Sequence, residues 1–526
     1  MMVSGAAPSF LTPSPERQRL SIFGDQNDQM AGEVAGMSGK GRKAREGMAQ
    51  RELGLEAITA LGQAAPIGQL ADELFLCADR ADLFFGNERL DCYLSRSGDG
   101  WVLRLRELLK ELDYTQFYPR YRRHGRKALH PRTLLGLIVY GILMRRGSLR
   151  ELERLARTDL GAMWLSAGHQ PDHSTVGKFI NLHRELLAEE FFVKLVNQLA
   201  RRLHLPVGVT AADGTVIEAA TSYRRLRYEA AAIERGGPRA SAQPPTPEPD
   251  SPEPDGALQP LKNGILRPAY KPSVLASAVL IVGQRVECTS ERAALWPMLA
   301  QHERALGAAP GALLLDAGYM GIELLTRLAE REINVLCPSG KTSDADWQRR
   351  TSGRYFDKRE FVYEAQHDRY RCPAGRELHF DYRVRDRRGA RYVRYRGAQC
   401  SDCQLRAQCT KARWGRTLRR YAGEEIKEAM QEVLRQPRAR REYQRRKVLV
   451  EPVFARLRGL QRLDRFRRRG LAAVRAEFAL HCIAYNLRVA AHFILSRIIL
   501  VIFGAAAGRP PQPLAAFSLI VLTSTR

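Results

Sequence analysis

At 526 residues, 44% of them hydrophobic, the chain has room for about two to four domains with sizeable cores. Its 84 Lys and Arg outnumber 57 Asp and Glu, giving a net charge of +27 and a pI of about 10.1, which calls for a polyanionic partner: nucleic acid first, anionic membrane second. No run of 18 or more apolar residues occurs, which argues against a membrane-spanning helix; the nearest, "IILVIFGAAAG" from Ile498 to Gly508, is too short.

Residues 1–69 are rich in Gly, Ala, Ser, Met and charge without sustained periodicity, and read as a disordered extension lacking an export signal. From 70 to 205 the apolar spacing is helical, as in "WVLRLRELLKEL" from Trp101 and "PRTLLGLIVYGILMRRG" from Pro131. Ser148 followed by Glu151 is a capping box. The short segment "GAMWLSAG", the break "HQPDH" and a helix expected to open at Ser174 or Thr175 outline a helix-turn-helix, with Lys178, Asn181 and Arg184 along one exposed face as candidate DNA contacts. A plain helical bundle fits the same pattern.

From 206 to 345 strands and helices alternate, which predicts an α/β sheet with some parallel pairing. "VGVTAADGTVIEAATS" reads as two strands about a tight turn, and the Pro-rich stretch 235–264 as a flexible insertion. Residues 346–420 are charged and aromatic and carry four cysteines, 421–495 are helical again, and 496–526 form an apolar tail.

Three carboxylates stand out. Asp213 and Asp316 each follow an apolar strand and meet glycine, at Asp213-Gly214 and Asp316-Ala317-Gly318, the strand end where α/β sheets bind ligands. A single Asp-Gly is ordinarily a turn. Glu451 heads the basic segment "EPVFARLRGLQRLDRFRRRG"; Pro452 should place it at a helix start or kink, ahead of a buried stripe of Val453, Phe454, Leu457 and Leu460. At roughly 100° per residue Arg458 falls within about 20° of Glu451, so the pair is either a metal ligand beside a phosphate clamp or a surface ion pair. Asp464 reads as a solvated counter-charge. The run "RQPRARREYQRRK" makes Arg445, Arg446 and Lys447 candidate backbone contacts. Cys372, Cys400, Cys403 and Cys409, spaced C-x27-C-x2-C-x5-C, can form a tetrahedral zinc site or a set of reduced thiols.

The pieces "ADGTVIEA", "LLLDAGYMG" and "VEPVFARLRGLQRLDRFRRRGL", with "RRGSLRELE…PDHSTVGKF" and "CPAG…CSDCQLRAQC", resemble in content and order the DDE transposases of bacterial insertion sequences, over about residues 70 to 492. The resemblance implies an RNase H-like catalytic core, α/β with a mixed sheet and flanking helices, plus an all-α N-terminal domain and a small Cys-rich β insertion. It implies that Asp213, Asp316 and Glu451 hold Mg²⁺ or Mn²⁺, and that the enzyme cuts and joins double-stranded DNA, acting on terminal inverted repeats and target DNA as a homodimer in the synaptic complex. Two such ions about 3.5–4 Å apart serve an in-line displacement at phosphorus. Arg458 stands where the family commonly has lysine, Lys447 where it has arginine, and Tyr443 lies one residue off the usual tyrosine spacing. A cytoplasmic location and no membrane partner are expected. A sequence-specific DNA-binding regulator, or a catalytically inactive transposase remnant, would keep the basic surface without needing the three carboxylates.

Overall fold

The N-terminal helices assemble around a helix that begins at proline. The structure, a computed structural model, describes residues 67–221, 255–261, 263–338, 355–385, 389 and 391–506. Nearly all of the expected extension, the Pro-rich residues 235–254 and the last twenty residues of the tail lie outside the described residues.

Helix α1 is Ile67–Leu74, starting three residues inside the stretch expected to be disordered; α2 is Leu90–Arg96 and α3 Gly100–Lys110. Helix α4, Pro131–Leu143, has Pro131 at its first position, where the missing N–H costs nothing, and it is buried along nearly its whole length. Helices α5 (Leu149–Thr158), α6 (Leu160–Leu165) and α7 (His173–Leu182) follow. The capping box of α5 is formed, the Ser148 N–H donating to Glu151 Oε2 at 3.0 Å. Helix α7 opens earlier than expected because the Asp172 carboxylate caps it, accepting the Thr175 N–H at 2.6 Å. It also ends earlier. The buried His183 ring meets the Tyr121 hydroxyl at 3.1 Å and the chain turns there, so Arg184 begins a separate helix, α8 (Arg184–Ala188), before α9 (Glu190–Leu203).

The central sheet comes next. Its strands are β1 (Val209–Gly214), β2 (Ile217–Glu218), β3 (Ala257–Pro260), β4 (Leu266–Ala276), β5 (Ile281–Glu287), β6 (Ala312–Leu314) and β7 (Val335–Leu336). β1, β4 and β5 pair antiparallel in the order β1-β4-β5, while β6 runs parallel to both β1 and β7. β1 and β2 do not form a hairpin; both pair with β4. β3 lies inside the stretch expected to be flexible. It forms because Gln259 is buried, its amide donating to the carbonyls of Ala269 (2.9 Å) and Cys288 (2.7 Å). Helix α10 (Glu291–Leu306) joins β5 to β6, and α11 (Ile322–Glu330) joins β6 to β7.

A second, five-stranded antiparallel sheet runs in sequence order: β8 (Val362–Glu364), β9 (Arg369–Arg371), β10 (Glu377–Arg385), β11 (Arg391–Gly397) and β12 (Thr417–Tyr421). Strand alternation drives it. Tyr370, Leu378, Tyr395 and Leu418 turn inward with Phe361 into a small core, and arginines occupy the other face.

The last described elements are α12 (Glu424–Arg435), α13 (Pro437–Ala455) and α14 (Leu471–Ala506). Helix α14 packs against α3, α4, α8, α9 and β5, binding the N-terminal helices to the sheet. Its Asn486 amide meets both backbone groups of Ile281 at 2.9 and 2.8 Å. Among the described residues no helix is long and apolar enough to cross a membrane.

His481 of α14 is buried and hydrogen-bonds Gln461 at 2.8 Å, and burial pushes its pKa down to about 3. In the unfolded chain it titrates near 6.5. Its stabilising contribution is therefore complete above that pH and is lost as pH falls, by about 1.4 kcal/mol per unit. His130, pushed down to about 4 by burial and Arg132, acts in the same direction. Urea denaturation at pH 7 and pH 5 should show a clear loss of stability at the lower pH, smaller in His481→Asn.

Candidate active site

Register decides where the two aspartates go. Parallel pairing sets Leu314 beside Ala211, so Asp316 and Asp213, each two residues further on, emerge side by side at the same edge of the sheet. Asp213 is still held in β1, opposite Val274 of β4. Asp316 caps the short turn Ala317–Tyr319, accepting the Gly318 N–H at 2.8 Å. Burial is the largest influence on Asp213, and with the nearby Asp316 and Glu291 it pushes the pKa up to about 6; Arg446 and the Gly214 N–H pull the other way.

The Arg446 guanidinium lies between the two carboxylates, its Nη2 3.0 Å from Asp213 Oδ1 and 3.8 Å from Asp316 Oδ2. It comes from α13, which packs on β1 and β4. Expected at the DNA backbone, Arg446 is spent instead on an internal ion pair. Tyr443, one turn earlier, is pushed up to about 12 by burial and lies near the same aspartates. Tyr443 and Arg446 are thus the tyrosine and arginine that face the site, and Lys447 is exposed beyond them.

A fourth carboxylate is present. Glu291, the first residue of α10, turns its side chain inward with 13% of it exposed and pairs with Lys271 Nζ at 3.1 Å. A Cβ on Gly214 would lie 2.9 Å from Glu291 Oε2, and one on Gly318 would collide with Glu291 Oε1 and stand 2.9 Å from Asp316 Oδ1. The glycines after both aspartates therefore leave room for carboxylate oxygens as well as for turns. The sequence reading passed over Glu291, because an acid in the first turn of an amphipathic helix is commonplace.

Glu451 sits elsewhere than expected. Helix α13 starts at Pro437 and carries Pro452 in its interior, so Glu451 is a mid-helix residue, exposed and without an ion pair to any described residue. Pro452 removes one helical hydrogen bond, and soon after it the helix widens into a π-turn, Arg456–Leu460. The extra residue in that turn rotates Leu460 outward, while Val453 and Leu457 are buried as expected. Arg458, also expected to meet DNA, points inward: its Nη2 donates to Thr215 Oγ1 and the Val216 carbonyl, both at 2.5 Å. Arg446 and Arg458 thus touch the Asp213 loop on either side of Glu451. Asp464 is an exposed counter-charge, 4.0 Å from Arg458.

Two family models match the chain. One, described as Transposase DDE domain, covers residues 371–491; the other, Transposase domain (DUF772), covers residues 89–182. The two matches support a DDE transposase of insertion-sequence type. No curated protein matches it. The first match takes in Arg446, Glu451 and the four cysteines, and the second takes in α2 to α7.

On the protein surface Lys178, Asn181, Arg184, Arg445 and Lys447 are exposed. Asn181 accepts from Arg468 Nη1 at 3.1 Å, and Arg445 pairs with Glu442 at 2.7 Å. Because α7 ends at Leu182, Lys178 and Asn181 share a helix and Arg184 does not. Cys372, Cys400, Cys403 and Cys409 line one small cavity at the edge of the second sheet, half-buried and unpaired. Among the described residues, however, no three His, Cys, Asp or Glu side chains stand close enough to hold a metal ion as placed. This applies to the cysteines and to the carboxylates alike.

Proposed function

We propose that this transposase cleaves DNA strands at the ends of its insertion sequence and joins them to target DNA by in-line phosphoryl transfer at Asp213 and Asp316. The observation that carries the reading is the parallel register of β1 and β6, which sets these two carboxylates side by side. Such a pair repels itself and calls for positive charge; here Arg446 supplies it. The donor set therefore fits divalent cations, Mg²⁺ or Mn²⁺, with Glu451 as third ligand. When bound, two such ions activate the attacking oxygen and stabilise the leaving oxygen. Asp213 and Asp316 would hold them at the edge of the sheet, with Glu451 of α13 as the third carboxylate.

Three antiparallel strands, β1, β4 and β5, followed in the chain by β6 parallel to β1, with Asp213 on β1 and Asp316 just after β6, support an RNase H-like core. We assign 70–205 to a helical DNA-binding domain, 206–345 and 421–495 to the catalytic core, and 346–420 to a Cys-rich insertion. Lys178, Asn181, Arg184, Arg445 and Lys447 contact the DNA backbone, and two protomers pair the element's ends. Binding should weaken steeply between low and moderate salt. The common cavity of Cys372, Cys400, Cys403 and Cys409 supports a zinc ion stapling a sheet with a small core of its own. Zinc below about 0.3 per chain in carefully purified protein would remove that assignment.

The deciding experiment incubates purified protein with labelled DNA carrying its element's ends. Nicking with Mg²⁺ and none with EDTA is expected. Salt-sensitive binding without nicking would instead favour a DNA-binding regulator or an inactive remnant, a reading to which the exposed position of Glu451 lends some support.

A further inference from the structure

We propose that Glu291 is a further carboxylate of the catalytic centre and contacts the divalent cation there beside Asp213 and Asp316. The inference rests on the metal-dependent reading above.

Glu291 reaches the aspartates from an unrelated part of the chain. Its two carboxylate oxygens lie against Gly214 and Gly318, the residues that follow Asp213 and nearly follow Asp316. Neither glycine has positive φ, so backbone strain does not require glycine at these places; a Cβ at Gly318 would displace the Glu291 carboxylate, and one at Gly214 would crowd Glu291 Oε2 and Ser273 Oγ alike. Three acids drawn together from β1, the β6 end and α10 repel one another, and the fold keeps them there by lending them two basic side chains, Arg446 to the aspartates and Lys271 to Glu291.

A second observation points to a bound group. The Tyr319 hydroxyl is fully buried beside Glu291, Asp213 and Asp316. The equally buried Ser273 hydroxyl lies next to it, and among the described residues the only protein partner the two hydroxyls have is each other. Even paired with each other they leave one buried O–H without an acceptor, which is costly unless something in the site satisfies it. A water on a cation held by Asp213, Asp316 and Glu291 would supply that acceptor.

Mn²⁺ binding to the full-length protein, followed by loss of the free-ion EPR signal, tests the assignment without relying on activity. The Asp213→Asn/Asp316→Asn double variant gives the background. Glu291→Gln should weaken the dissociation constant at least about tenfold, the range typical of lost metal-site interactions. Glu291→Asp keeps the charge but withdraws the oxygens, and should weaken it about threefold or more; a purely long-range field would leave it unchanged. Circular dichroism checks each variant's fold, and either variant alone suffices if the other does not fold. Parent-like affinity in a folded Glu291→Asp or Glu291→Gln would overturn the role of Glu291. Unchanged binding in the double aspartate variant would overturn the metal reading itself.

Discussion

Asp213→Asn and Asp316→Asn should each reduce Mg²⁺-dependent nicking of element ends by at least about 100-fold while leaving the fold intact. Asparagine matches aspartate in shape, and its amide oxygen can still accept the N–H of Gly214 or Gly318. What disappears is one negative charge and one cation-binding oxygen. The thermal midpoint should hold, since removing a charge relieves repulsion among Asp213, Asp316 and Glu291 at the expense of the Arg446 ion pair. Gel assays of labelled ends, with circular dichroism on the same samples, check both halves of the expectation. Parent-rate nicking by either variant would mean that the site is misassigned.

Glu477→Ala should be the most damaging single change outside the site. Glu477 is buried in α14, where its carboxylate accepts the N–H of Arg467 at 3.1 and 3.0 Å and that of Arg468 at 2.9 Å. These bonds fix the turn in which the Phe466 N–H donates to the Glu218 carbonyl at 2.8 Å and Arg465 donates to the carbonyls of Ala219, Ala220 and Thr221. Alanine would leave the N–H groups of Arg467 and Arg468 without this acceptor and remove the counter-charge of the half-buried Arg468. A loss of about 3–5 kcal/mol follows from breaking such a buried charged network. Because the turn follows directly on the π-turn carrying Arg458, nicking should fall with stability. Denaturant titration and limited proteolysis near residue 465 would register the change; a stability loss below about 1 kcal/mol would contradict it.

Local patterns were legible wherever neighbouring residues set them. Ser148 and Glu151 form the expected capping box, because both partners lie within one helical turn. The apolar runs before Asp213 and Asp316 became strands β1 and β6, since continuous apolar segments bounded by glycine have few other uses in an α/β chain. Signals set at the next level misled. The Asp172 cap and the His183 turn moved both ends of α7, and the π-turn after Pro452 displaced Leu460, because a shift of one residue in helical phase alters the exposed face.

The sequence by itself determined the basic partner-seeking surface, the helical character of the N-terminal part, and the two aspartates as strand-end acids. Only the tertiary structure decided what surrounds them. Arg446 and Arg458 read as free cations beside Glu451, yet they face inward to Asp213, Asp316 and the Thr215 loop. Glu291 read as an ordinary helix-start acid, yet it lies against both glycines of the aspartate turns. The physical reason is distance along the chain. Strand pairing and helix packing bring together groups up to 243 residues apart, and no local period or propensity records which charge will meet which across such a gap.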